Sequence, residues 1–122
     1  VYLLSIPQEV VMNQLVFAVI AISVLGLHTN STFAASSRDI DKLTTYSVVL
    51  GRAAACGGDI EGPSRRVGAW MDRAFPPGSS DQKVYLPVFM QGMQYHAQQQ
   101  ATGKSPDSCA SVLKTLRGFP WP

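Results

Sequence analysis

Charge is what this sequence has least of. Acidic and basic side chains together make up 15% of its 122 residues, against about 25% in ordinary soluble domains. Ten basic residues face eight acidic ones, too even a balance for the basic stripe that nucleic acid demands. Apolar residues make up 46%, the opposite of the polar, highly charged composition that keeps a chain disordered. Histidine and cysteine occur twice each, and only one histidine, His96, lies beyond residue 34. A closed zinc site needs four such ligands, so no metal is expected. No C-x-x-C pair, Ser-His-Asp arrangement, phosphate loop or dinucleotide fingerprint occurs, and no cofactor is expected either. The length allows one domain.

The uncharged residues are not evenly spread. Val10 to Leu27 carries no charge, and its second half is almost continuously apolar. The polar, small-residue stretch HTNSTFAASS follows. Thr32 and Ala34 place small side chains at both positions a signal peptidase reads, which predicts cleavage after Ala34, with Ala35 as second choice. Residues 1–14 contain no Lys or Arg, which a signal peptide should have at its head, and Met12 is read as the true start. The competing reading is an uncleaved anchor. The run reaches the necessary length of about 18 residues only when Val10, Val11, Asn13 and Gln14 are counted. The expected organisation is a signal peptide over 1–34 and a single helical domain over 35–122. That places the protein in the periplasm or outside the cell.

Both cysteines, Cys56 and Cys109, fall in the 88 residues after the signal. An exported chain meets an oxidising compartment, where two cysteines admit one intramolecular pairing. Closing a 54-residue loop stabilises a small domain by roughly 4 kcal/mol on the chain-entropy model. Both sulfurs are expected to be buried between the first and last helices.

No segment alternates with period two, whereas spacings of three and four recur. Punctuation divides residues 35–122 into four helices. The first is predicted over Arg38–Cys56, capped by Ser36 or Ser37 and stopped by Gly57-Gly58. Ile40, Leu43, Ser47, Leu50 and Ala54 form its inner stripe, widened by Tyr46, Val49, Ala53 and Cys56. Gly51 inside it costs about 1 kcal/mol against Ala and marks a close approach of another helix. The second is predicted over Arg65–Phe75 with Ser64 as cap, burying Val67, Trp70, Met71 and Ala74. The third is predicted over Asp81–Thr102, with Ser79 and Gln82 as a capping box. Its inner face is Val84, Tyr85, Val88, Phe89, Gly92, Met93 and His96, and Pro87 should kink or split it near Leu86. The fourth is predicted over Pro106–Arg117 with Ser105 as cap, burying Cys109, Val112, Leu113 and Leu116. Phe119 and Trp121 in the tail should pack. The fold class is therefore all-α, a small bundle or array of about four helices stapled by one disulfide.

Candidate chemistry is sparse. His96 lacks a visible acid–base partner and reads as a packing residue. Asp59 and Glu61 are too few for a calcium loop or a glycosidase pair and read as solvated loop charges. Arg65 and Arg66 are placed in the first turn of the second helix, against its dipole. Cations so placed mark a contact for a partner. Gln91, Gln94 and Gln98 share one uncharged polar face of the third helix, a surface that can dock another protein or a glycan strand.

The layout resembles small exported helical proteins of the bacterial envelope that are stapled by one disulfide, the periplasmic acid-stress chaperones among them. The likeness lies in mature length and wide cysteine spacing, without a shared motif, and this chain is poorer in charge. The expected function is a binding or accessory protein of the cell envelope, for example within a secretion or conjugation system. Its partner is expected to be another envelope protein, not nucleic acid, and it meets the membrane only if the signal stays uncleaved. The alternatives are a periplasmic stress chaperone, a secreted toxin or immunity protein, or a small enzyme using His96. Non-enzyme is the preferred reading.

Overall fold

In the computed structural model, residues 35–122 are described. The apolar segment, Met12 and residues 1–34 as a whole lie outside them. Four helices follow in order: α1 (Ser37–Ala55), α2 (Glu61–Ala74), α3 (Ser80–Ala101) and α4 (Cys109–Gly118). Among the described residues there is no strand, and no helix is long and apolar enough to cross a membrane. The all-α, four-helix, disulfide-stapled architecture is as the sequence implies.

Helix α1 is the hub. It touches each of the other three, α3 most broadly. Ser36 caps it, its Oγ accepting from the Asp39 N–H at 3.1 Å, and Asp39 sits favourably at the positive end of the dipole. Leu43, Tyr46, Leu50, Val67, Trp70, Met71, Phe75 and Phe89 form the main core. Tyr46 is its aromatic centre, edge-on to Trp70 with ring centroids 5.1 Å apart. The tail closes over it: Phe119 and Trp121 lie 6.0 and 5.8 Å from the Tyr46 ring. The Trp121 indole N–H donates to the Leu116 carbonyl at 3.1 Å, which satisfies the polar end of a packed aromatic. A second cluster, Ala53, Val112 and Leu116, joins α1 to α4.

Gly51 does mark a close approach. A Cβ there would collide with the Met93 backbone carbonyl of α3. One turn earlier Ser47 faces Gly92. The Ser47 hydroxyl, though buried, donates to the Thr44 carbonyl at 2.7 Å. Helix α1 ends where Gly57 takes up the left-handed conformation, φ 75°, as a glycine just past a helix permits.

Several boundaries differ from expectation. Helix α2 starts at Glu61, not Arg65, because proline is tolerated in a first turn whose N–H groups have no intrahelical partner. Pro63 thus sits inside the helix. Asp59 Oδ1 accepts from the Glu61 N–H at 3.2 Å, while Ser64 makes no cap. Helix α3 runs unbroken through Pro87. Only the Lys83 carbonyl loses its partner there, and Lys83 is exposed, so water can serve instead. Ser79 caps α3 through the Gln82 N–H at 3.1 Å. The other half of the box is not made, since Gln82 Nε2 donates to Asp72 at 3.0 Å and ties α3 to α2.

Helix α4 starts at Cys109, not Pro106. Ser108 caps it, accepting from the Ser111 N–H at 3.2 Å, and Ser105 does not. Both segments carry start signals, and the tethers of the preceding loop decide between them. Asp107 Oδ2 meets Arg52 Nη1 at 2.7 Å, and Gln100 Nε2 donates to the Asp107 carbonyl at 3.0 Å. These contacts hold residues 104–108 out of the helix.

Candidate functional site

Three places gather the chemistry that the sequence singles out. The first is the disulfide. Cys56 and Cys109 are joined, with Cα atoms 5.3 Å apart, linking the C-cap of α1 to the first residue of α4. Contrary to expectation, they are not buried: Cys56 is half-buried and Cys109 exposed. Because α4 begins at Cys109, its first turn overhangs the edge of the packing. Arg52, Asp107, Gln100 and His96 surround this end of the molecule. The Arg52–Asp107 pair is partly solvated, so it stabilises by about 1 kcal/mol or less.

His96 is half-buried on the α1 side of α3. Its ring is edge-on to Tyr95 at 5.1 Å. Burial, and after it the Arg52 guanidinium, hold its imidazole below the ordinary value of 6.5. The folded state therefore binds less proton than the unfolded chain just below pH 6.5. This contribution is fully present above that pH and is lost as pH falls toward the folded value. Thermal melting should show a lower Tm at pH 5 than at pH 7.5, and His96→Gln should reduce the difference. A slope unchanged by the substitution would remove His96 from the account.

The second place is a cleft of about 580 Å³ between the start of α2 and α4. Leu113, Leu116 and Trp121 floor it, and Arg66, Arg117 and Asp59 stand among its walls. Arg65 is not part of it. With α2 starting at Glu61, the two arginines fall in the second turn, and Arg65 Nη1 lies 3.7 Å from Glu61 at the helical i,i+4 spacing. The dipole conflict expected from the sequence does not arise. The Asp59 carboxylate, next to the N-cap residue Ile60, accepts from the Glu61 N–H at the start of α2. Among the described residues no three His, Cys, Asp or Glu side chains gather as metal ligands.

The third place is the outer surface of α3. All the exposed large hydrophobic side chains among the described residues lie on this helix: Val84 57%, Leu86 42%, Val88 49%, Met90 58% and Tyr95 57%. Val84 and Val88 were expected inside and are not. Only one sector of α3, that of Tyr85, Phe89, Met93 and His96, meets the rest of the molecule. At 100° per residue, the remainder forms two flanks. Val84, Val88 and Tyr95 share one, while Leu86, Met90 and Ala97 share the other, about 200° away. On the second flank a groove of about 400 Å³ opens between α3 and α1. Gly51 and Ala54 line it from α1, and Met90, Met93 and Ala97 from α3. Ala54, expected on the buried stripe, is exposed because it faces this groove.

Gln91 and Gln94 line the same groove, so the structure brings these two predicted contact residues to one feature. Gln98 is exposed one turn further along. Arg65 and Arg66 belong to α2 and join none of the glutamines. The residues that sequence reasoning missed are Leu86, Met90 and Tyr95. For Leu86 and Met90 the signal was the run VYLPVFM, residues 84–90, which is too continuously apolar for one buried face. No protein-family model, curated protein or solved structure matches the chain.

Proposed function

We propose that the chain is a small exported helical protein of the periplasm or cell surface, acting as a binding or accessory protein of the cell envelope. One observation carries the binding role: the exposed large apolar side chains are concentrated on α3, with none on the other described helices. Scattered exposed hydrophobics are ordinary, whereas their concentration on one helix, with Met90 at the groove, marks an interaction surface. The methionine-lined groove suits a partner's apolar side chains, because thioether side chains adapt to what they meet. Gln91 and Gln94 at the groove supply amide donors and acceptors that fix register without demanding a charged partner. The oxidised Cys56–Cys109 pair supports export, since such bonds persist in oxidising compartments. The partner chemistry proposed is an apolar, uncharged segment of another envelope protein.

Site-specific photo-crosslinking tests this in the native cell. A photoreactive residue at Gln94 should yield a crosslink to one discrete envelope protein, and the same residue at the exposed Lys114 on α4 should not. Equal yields from both positions, or none from Gln94, would contradict the reading.

A further inference from the structure

The groove accounts for only one flank of α3. On the opposite flank Val84, Val88 and Tyr95 stand about half exposed in a narrow stripe, with Gln91 beside them. We propose that this flank seats the same flank of a second copy, antiparallel, in a two-fold dimer. The proposal goes beyond the binding role: the apolar side chains of the two flanks lie on opposite sides of the helix, and Gln91, on the outer crest between them, is the residue that borders both.

Charge selects the occupant. From Val84 to Gly103, twenty consecutive residues include no Asp, Glu, Lys or Arg. Residues 35–122 otherwise hold ten basic side chains against seven acidic ones, so two copies repel at most relative orientations. This flank is where they can meet with the fewest like charges close together. An anionic membrane surface needs lysine or arginine beside the apolar stripe, and between Lys83 and Lys104 there is none. A charged protein partner would find nothing to pair with. The flank asks for an occupant that is itself apolar, uncharged and furnished with amides, and its own copy has all three properties.

Geometry selects the direction. In a two-fold contact each residue meets a fixed counterpart. An antiparallel arrangement centred between Phe89 and Met90 sets Val84 against Tyr95 of the copy and Val88 against Gln91. Small then meets large, and Asp81 falls opposite a Gln98 amide. A parallel arrangement would set Asp81 against Asp81 and align the two helix dipoles, both unfavourable. The stripe from Val84 to Tyr95 spans about 16 Å of a helix about 33 Å long at 1.5 Å per residue. One helix face lies below the roughly 800 Å² per partner of a standard specific interface. The dimer should therefore be concentration-dependent.

Sedimentation of the disulfide-intact protein as processed in its native compartment, over micromolar to near-millimolar concentrations, tests the proposal. The molar mass should rise from one chain to two. Val88→Asp should hold it at one chain throughout, while Met90→Asp on the other flank should leave the rise intact. A one-chain mass at all concentrations would overturn the dimer, including the case in which the flank instead captures vesicles or a different protein. So would a dimer that survives Val88→Asp or is lost with Met90→Asp. Direction is read separately by oxidising a mixture of Val88→Cys and Gln91→Cys chains. The mixed 88–91 link should outpace both self-links, and a preference for self-links would overturn the antiparallel arrangement. That pair of variants also reports if Val88→Asp fails to fold.

Discussion

Reducing the Cys56–Cys109 bond should destabilise the folded chain by about 2–5 kcal/mol. The bond spans 53 positions, so releasing it restores a large loop entropy to the unfolded ensemble. A domain's whole stability is about 5–15 kcal/mol, which makes the loss a substantial fraction. Exposure sharpens the expectation. Cys109 is open to solvent and Cys56 half-buried, so reductant reaches the sulfurs without unfolding. Only Cys56 packs against the Ala53, Val112 and Leu116 cluster, so the double substitution Cys56→Ala with Cys109→Ala should cost at least as much as reduction. Urea unfolding followed by circular dichroism, with and without reductant, measures both. An unchanged midpoint would show that the contacts of Ala53, Val112 and Leu116 hold α4 without the staple.

Gly51→Ala should destabilise by about 1–3 kcal/mol, the usual cost of overpacking. The sign is the informative part. At an open helical position the same change favours the helix by up to about 1 kcal/mol. Gly68 on α2 is such a position, with nothing within 4 Å of an added Cβ, and Gly68→Ala should stabilise. At Gly51 the added methyl meets the Met93 carbonyl, which is backbone and cannot rotate away. Helix α3 must then lift from α1. Thermal melts of the two variants should shift in opposite directions. A stabilised Gly51→Ala would mean that α3 does not approach α1 as closely as described.

The fold was legible where one signal stood alone. Ser79 had no competitor and caps α3 as read, and of the neighbouring pair Ser36 and Ser37 it is Ser36 that caps α1. The Gly57-Gly58 stop of α1 likewise had no rival, and Gly57 takes the left-handed conformation there. Signals in competition were decided by contacts far along the chain. Ser105-Pro106 and Ser108 could each start α4, and the choice rests on Arg52, whose ion pair with Asp107 is fifty-five positions away. Asp59 outdid Ser64 at α2 because its carboxylate reaches the Glu61 N–H, a loop geometry that residue spacing does not specify. The inner face of α3 was misread for a related reason. Apolar residues surround that helix, so periodicity could not say which sector meets α1. The glutamines were found because they lack charge within an uncharged stretch. Met90 was missed because a methionine in an apolar run looks like core until its neighbours are known.

The central claim is an exported domain stapled by one disulfide, and the intact mass of the protein recovered from its native compartment tests it most directly. The account predicts the mass of a chain beginning at Ala35, or at Ser36 as second choice, less the two hydrogens lost on joining Cys56 to Cys109. A mass that retains residues 12–34, or one with both thiols free, would contradict it.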